Sequence, residues 1–379
     1  MKKTLVSLSV LGVLSGSAWA ADVTVYGRID TGLQLRSWEH SSIWNETNAS
    51  EVLTRSKETS WSMESGSLTP SRIGIKGSEQ IFDNLTVGFV LEKGFESDTG
   101  VDDNGFDRES VIYVKSNFGT VYAGRINSIW SDAGSTSFWA GHYVALGTGN
   151  GVGLGTGLMV EHDRADNRIA NVSPDIAGFK FYAEYGFGEN DYENTSETDR
   201  PAALGVNYSN GAFSLGMVVT YLNETSWLGD EPSESEDEYT MNIGTSYDFG
   251  VAKVKLSGQY YWRANEVGAF RGLGLSSFYD YDGYAVTIGA DMSAFGGVLT
   301  IGGGYAEGES KLDYQSDYAI EYKGYDVAAC YQYPLSKQTK VYAGVGYEKL
   351  EVESGETGRW SDNVEYKAIK AMMGMAHYF

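Results

Sequence analysis

The chain has 379 residues and a formal net charge of −23, with 51 acidic side chains against 28 basic ones; that balance argues against nucleic acid as a partner, because phosphate binding needs clustered Lys and Arg. A single cysteine, Cys330, excludes an internal disulfide framework, and no Pro-rich or charged linker divides the sequence. Glycine (48) and tyrosine (27) are abundant and proline is scarce (5), while a mean hydropathy of −0.29 hides any membrane role from a helical hydropathy reading.

At the N-terminus, Lys2 and Lys3 precede an apolar run from Leu5 to Leu14 and small residues ending in Ala18-Trp19-Ala20. This is the layout of a secretory signal peptide, and the run falls short of the roughly 20 apolar residues a spanning helix needs. Cleavage is expected after Ala20, so residues 1–20 form the signal and 21–379 one domain.

From Val23 to Leu35 polarity alternates with period two: Val25, Gly27, Ile29, Thr31 and Leu33 share one face, and Tyr26, Arg28, Asp30, Gly32 and Gln34 the other. One face suits lipid and the other water. The same pattern recurs in Leu85 to Phe95 and in Ala368 to Phe379, and sixteen such segments run from 23–35 and 70–79 to 363–379. Their connections alternate strictly. Seven are short, among them Gln80 to Asn84, Asn210-Gly211 and Pro334 to Gln338, and eight are long and polar, including Arg36 to Thr69, Asn127 to Ala165 and Glu351 to Asp362. Short turns at one end and long loops at the other are the mark of a transmembrane barrel. An open edge in lipid would leave backbone groups unpaired, so the sheet must close. The fold expected is all-β, a 16-stranded antiparallel transmembrane barrel, and a barrel that wide leaves an aqueous channel.

Several local motifs, in order, resemble the general trimeric porins of the Gram-negative outer membrane. They are Val23-Thr-Val-Tyr-Gly-Arg-Ile-Asp30, Ser71-Arg-Ile-Gly-Ile-Lys-Gly-Ser-Glu79, Phe118-Gly-Thr-Val-Tyr-Ala-Gly-Arg125, Asp166-Asn-Arg-Ile-Ala-Asn-Val-Ser-Pro174 and the closing Gly374-Met-Ala-His-Tyr-Phe379. The resemblance implies a homotrimer in outer-membrane lipid, a passive channel for ions and small hydrophilic solutes, a third loop folded into the lumen and a second reaching toward a neighbour. It also implies that Phe379 is an assembly signal, and that Arg72, Lys76 and Arg168 belong to a basic cluster on the early strands.

Parity supplies the rest of the candidate constriction. Arg28, Arg72, Lys76, Arg168 and Glu92 face the lumen, while Asp132, Glu161 and Asp163 lie in the third long loop; a basic wall opposite an acidic loop would focus the field where permeant ions pass. Arg125 falls on the lipid parity of its strand but sits where the strand meets that loop, and it joins the basic set on that ground. Each of these charges has a bland alternative, a solvated lumen residue without special influence. The sign of selectivity is open, since a basic wall favours anions and acidic mouth loops enrich cations.

The run Gly147-Thr-Gly-Asn-Gly-Val-Gly-Leu-Gly-Thr-Gly157 has no Gly-Lys-Ser/Thr ending and no following helix, so it is read as a flexible loop and not as a phosphate cradle. His40, His142, His162 and His377 are scattered, without a nucleophile elbow or metal-type spacing. His162 between Glu161 and Asp163 is read as a solvated cluster before a cation site. No catalytic residue, metal or cofactor is expected. The alternatives are a substrate-selective channel, for which Trp38, Trp44, Trp61, Trp130 and Trp139 could begin an aromatic track, and an outer-membrane enzyme or adhesin built on the long loops.

Overall fold

The computed structural model describes residues 22–46, 52–102, 105–129, 131, 134–138, 158–160, 164–188, 200–223, 226–228, 231–233, 237–264, 267–268, 280–310, 319–356 and 360–379. The strands are β1 (Asp22–Glu46), β2 (Val52–Ser65), β3 (Arg72–Phe82), β4 (Leu85–Gly94), β5 (Glu109–Ser116), β6 (Gly119–Asn127) and β7 (Arg164–Val172). They continue with β8 (Phe179–Gly186), β9 (Arg200–Asn210), β10 (Phe213–Asn223), β11 (Ser226–Leu228), β12 (Glu231–Ser233) and β13 (Glu238–Asp248). The last are β14 (Ala252–Ala264), β15 (Tyr281–Ala294), β16 (Gly297–Ser310), β17 (Ala319–Pro334), β18 (Thr339–Glu356) and β19 (Trp360–Tyr378). Consecutive strands pair antiparallel. β11 and β12 form a separate hairpin in a long connection, and β2 and β3 occupy one strand position between them, so the main sheet has sixteen positions.

The sheet closes on itself. β1 pairs with β19 from Arg28↔Tyr378 to Glu46↔Trp360, and Gly27 and Phe379 exchange both N–H···O bonds at 3.0 Å. The other edge of β1 is shared: Asp22 to Arg28 pair with β3, and Thr31 to Trp44 with β2.

Period-two patterning puts apolar residues outward, the reverse of a soluble protein. In β13, the exposed Tyr239, Met241 and Ile243 alternate with the buried Thr240, Asn242 and Gly244. Ile29, Ile112, Leu204, Ile288 and Val327 are likewise exposed outside, while Thr220, Ser257, Gln259, Thr287 and Asp326 are buried inside. Exposed aliphatics on so many strands make sense only against lipid, as in a transmembrane barrel. The turns at the chain-terminus end are tight. Phe295 and Gly296, at φ 49° and 80°, form a two-residue hairpin with both φ positive, the primed geometry that matches strand twist.

Two expected loops are largely strand. Residues 36–46 and 52–65 of the expected first loop form a β1–β2 extension above the apolar band, and β18 and β19 reach into the expected loop at Glu351 to Asp362. Segments such as Thr54-Arg-Ser-Lys-Glu-Thr-Ser60 are polar on both faces because neither face meets lipid or a core, so their alternation cannot be read.

Candidate pore constriction

Within the barrel the apolar core is local, and the third long connection supplies much of it. Ile129, Phe138, Leu158, Met159 and Val160, all from the segment between β6 and β7, are buried against Tyr182, Tyr261, Tyr322 and Leu350 on the inner wall. Phe138 meets the Tyr182 ring edge-on at 4.8 Å. Close approach is built into the wall: a Cβ at Gly205 would lie 2.9 Å from the Phe138 ring, and one at Gly304 or Gly324 would lie 3.1 Å from Leu158. A side chain at these positions would push the loop off the wall, most of all at Gly205.

Polar ties fix the same loop. Glu184 accepts from the Ile129 N–H at 2.8 Å, and Glu109 accepts from Ser135 N–H at 2.7 Å and its hydroxyl at 3.0 Å. Asn207 donates to the Phe138 carbonyl at 3.1 Å. Gln259 both accepts from Val160 N–H at 2.7 Å and donates to its carbonyl at 2.8 Å. The loop therefore crosses the lumen from β5 and β8 to β14 and β16, leaving the wall of β1, β3 and β4 uncovered by its described residues.

That wall holds the basic cluster. Arg28 and Arg72 are direct cross-strand partners. Arg72 donates to Glu92 Oε1 at 3.0 Å, Arg108 donates to the same oxygen at 2.7 Å, and Tyr26 Oη donates to Glu92 Oε2 at 3.0 Å. Both arginines of the strand pair also donate to the Pro70 carbonyl, Arg28 at 3.1 Å and Arg72 at 3.3 Å. Arg72, Arg108 and Glu92 are buried, Arg28 is half-buried, and Lys76 is exposed with its Nζ 5.1 Å from the centre of the Tyr26 ring.

The other candidates lie elsewhere. Arg168 forms a buried ion pair with Glu184, the same carboxylate that holds Ile129, so it belongs to the anchoring of the loop. Arg125 sits at a bulge in the β6–β7 pairing, ion-paired with Asp166 at 2.7 Å and donating to the Asp107 carbonyl, apart from the Arg28–Arg72 group. Asp132, Glu161 and Asp163 lie outside the described residues, as do residues 147–157, Trp130, Trp139, His142 and His162. Trp38 packs against the inner apolar cluster, whereas Trp61 is 73% exposed on β2, so these two do not form a track. His377 points outward and bonds Thr339. Phe379 is half-exposed at the outer face beside Gly27, where a Cβ would meet its ring at 2.5 Å.

Parity alone does not reveal Arg108, which precedes β5 and turns inward only because Glu92 is there to receive it. Glu109 and Glu184 do stand on inward parity with buried neighbours, so their lumen position is legible, but their grip on the third loop is not.

The geometry is that of a wide barrel narrowed by one inserted loop, and known proteins agree. The chain matches the Gram-negative porin family over residues 7–352. It is 28% identical to an outer membrane porin protein of Bordetella pertussis over 92% of this chain and 94% of that one. Its fold is similar to that of an anion-selective porin from Comamonas acidovorans, with a TM-score of 0.64 and 22% identity over 95% of this chain and all of that one. It is also similar to the trimer form of OmpT, an outer membrane protein of Vibrio cholerae, with a TM-score of 0.62 and 16% identity over 95% and 100%. Sequence, closed barrel and inserted loop together make this chain a member of the Gram-negative porin family, an outer-membrane channel for passive diffusion of ions and small hydrophilic solutes.

Proposed function

We propose that the channel is a homotrimeric diffusion pore that prefers small anions, narrowed between its third loop and the wall of β1, β3 and β4. One observation carries the sign: Arg72 and Arg108 share the single carboxylate of Glu92, Arg28 stands directly across from Arg72, and Lys76 lies further along the same wall. The other described acids near this wall are engaged elsewhere: Asp30 with the Leu68 and Thr69 N–H groups and Tyr342, Asp107 with the Gly94 N–H, and Glu109 with Ser135 of the loop. In a narrow, weakly polarisable passage such a local surplus sets the field, because screening weakens any charge more than a Debye length away, about 8 Å in physiological salt. The selectivity named for the Comamonas protein of the same fold agrees with this reading.

The outer face supports the trimer. Aromatic pairs ring the long-loop end from β8 to β18, as in Tyr185–Phe187, Tyr221–Tyr239, Tyr260–Trp262, Tyr284–Tyr305 and Tyr325–Tyr347. Among the described residues the outer face of β3 to β6 has no such pair: Ile73, Ile112, Val114 and Val121 are exposed there, and the exposed Phe82, Phe106 and Phe118 lie singly in or beside the connections. Aromatic belts mark a lipid interface, so the stretch without one is the side turned toward other copies.

Single-channel recording in a planar bilayer under a KCl gradient tests both parts. Current steps in threes with an anion-selective reversal potential are expected. A cation-selective reversal potential would overturn the assigned sign, and unit steps from a monodisperse monomer would overturn the trimer.

A further inference from the structure

Between β2 and β3 the second strand position breaks at residues 66–71, and the break turns into the barrel. Leu68 packs against Ala328, Cys330, Tyr342 and Met372 on the inner face. Gly66 makes the corner at φ 68°, a left-handed conformation that favours glycine. The Asp30 carboxylate accepts from Leu68 N–H at 3.0 Å and Thr69 N–H at 2.7 Å, and its other oxygen accepts from Tyr342 Oη at 2.5 Å. Ser97 donates its hydroxyl to the Asp30 carbonyl at 2.7 Å and its N–H to Ser65 at 2.9 Å, closing the bend from the opposite side.

Tyr342 stands on β18 and reaches Asp30 across the intervening β19. Gly374 and Gly32 clear its path, since a Cβ at either would collide with the tyrosine hydroxyl. The bend ends at Pro70, whose carbonyl lies between the guanidinium groups of Arg28 and Arg72. Like charges directly opposite on neighbouring strands repel. A fixed acceptor between them offsets that repulsion and sets the direction in which each group points.

We infer that the bend at 66–71 is a second constriction element, and that Asp30 and Tyr342 are positioning residues that set ion preference by holding the Pro70 carbonyl between Arg28 and Arg72. This rests on the reading of Arg28 and Arg72 as part of the selective wall. A pore narrowed from two sides, by the third loop on one wall and by this bend on the other, has its field fixed by backbone as well as by side chains.

The test uses the full-length protein in planar bilayers, with single-channel conductance and reversal potential as readouts. Tyr342→Phe removes only a hydroxyl, and Leu68→Ala changes a residue outside every strand, so neither alters the charge of the wall. Both are expected to lower the anion-to-cation permeability ratio by about twofold as the two arginines lose their shared acceptor and spread the field. The double variant Arg28→Ser/Arg72→Ser is the reference. If it shifts the reversal potential while Tyr342→Phe and Leu68→Ala assemble normally and leave it unchanged, the bend has no part in selectivity and the wall reading stands. If the double variant shifts nothing, the wall reading falls and this inference falls with it. Should Tyr342→Phe fail to assemble, Leu68→Ala decides; failure of both would make the bend a structural prop and overturn the inference.

Discussion

Arg168 and Glu184 show how a lumen charge can serve the architecture before it serves the permeant ion. The pair is buried, and Glu184 also holds the Ile129 backbone. Removing one member of a buried pair leaves the other uncompensated, at a cost of about 3–5 kcal/mol. Arg168→Ser is therefore expected to loosen the third loop and raise channel noise and protease sensitivity between β6 and β7. A quiet, protease-resistant channel would show that Glu184 finds another partner. Phe379 is the second residue whose role is separable. Its backbone closes the sheet through Gly27 while its ring faces outward. Phe379→Ala keeps the backbone bonds and is expected to reduce the yield of assembled, heat-stable barrel in the outer membrane; normal yield would confine the ring to packing.

The inserted loop is the element on which the pore depends. Gln259 satisfies both backbone groups of Val160, and a buried polar group left unpaired costs about 1–3 kcal/mol. Gln259→Leu orphans two such groups, so the loop is expected to leave the β14 wall and single-channel conductance to rise. Unchanged conductance would mean that the apolar contacts of Leu158 and Met159 hold it alone. The glycines that face the loop were legible only as composition. Gly205, Gly304 and Gly324 look like any other strand glycine until Phe138 and Leu158 come against them.

For the whole molecule, closure and inversion explain each other. A sheet that buries Thr, Ser, Asn and Gln inward and exposes Ile, Val and Leu outward is stable only where the outside is lipid and the inside is wet. The N-terminal Lys2–Ala20 segment lies outside the described residues; N-terminal sequencing of the mature protein is expected to begin at Ala21, and a chain still carrying Met1 would contradict the export reading. The two extended hairpins, β1–β2 and β18–β19, stand beside one another above the apolar band through the β1–β19 pairing, giving the barrel a taller wall on that side.

Period-two alternation and the strict sorting of short turns from long loops determined the strand number, the closure and the membrane setting, because lipid on one face and water on the other impose a different residue type at every second position. Parity likewise placed Arg28, Arg72, Lys76, Arg168 and Glu92 on the inner wall. Tertiary structure alone decided which of them act together. Arg168 went to Glu184, Arg125 to Asp166, and Arg108 joined Arg72 at Glu92. The inward bend at 66–71 and the polar extension of β2 left no alternating signal either, since the bend is held by backbone bonds to Asp30 and the single apolar contact of Leu68, and the extension by its pairing with β1. Partners drawn from strands far apart in sequence, such as Asp30 and Tyr342, meet only once the barrel has closed.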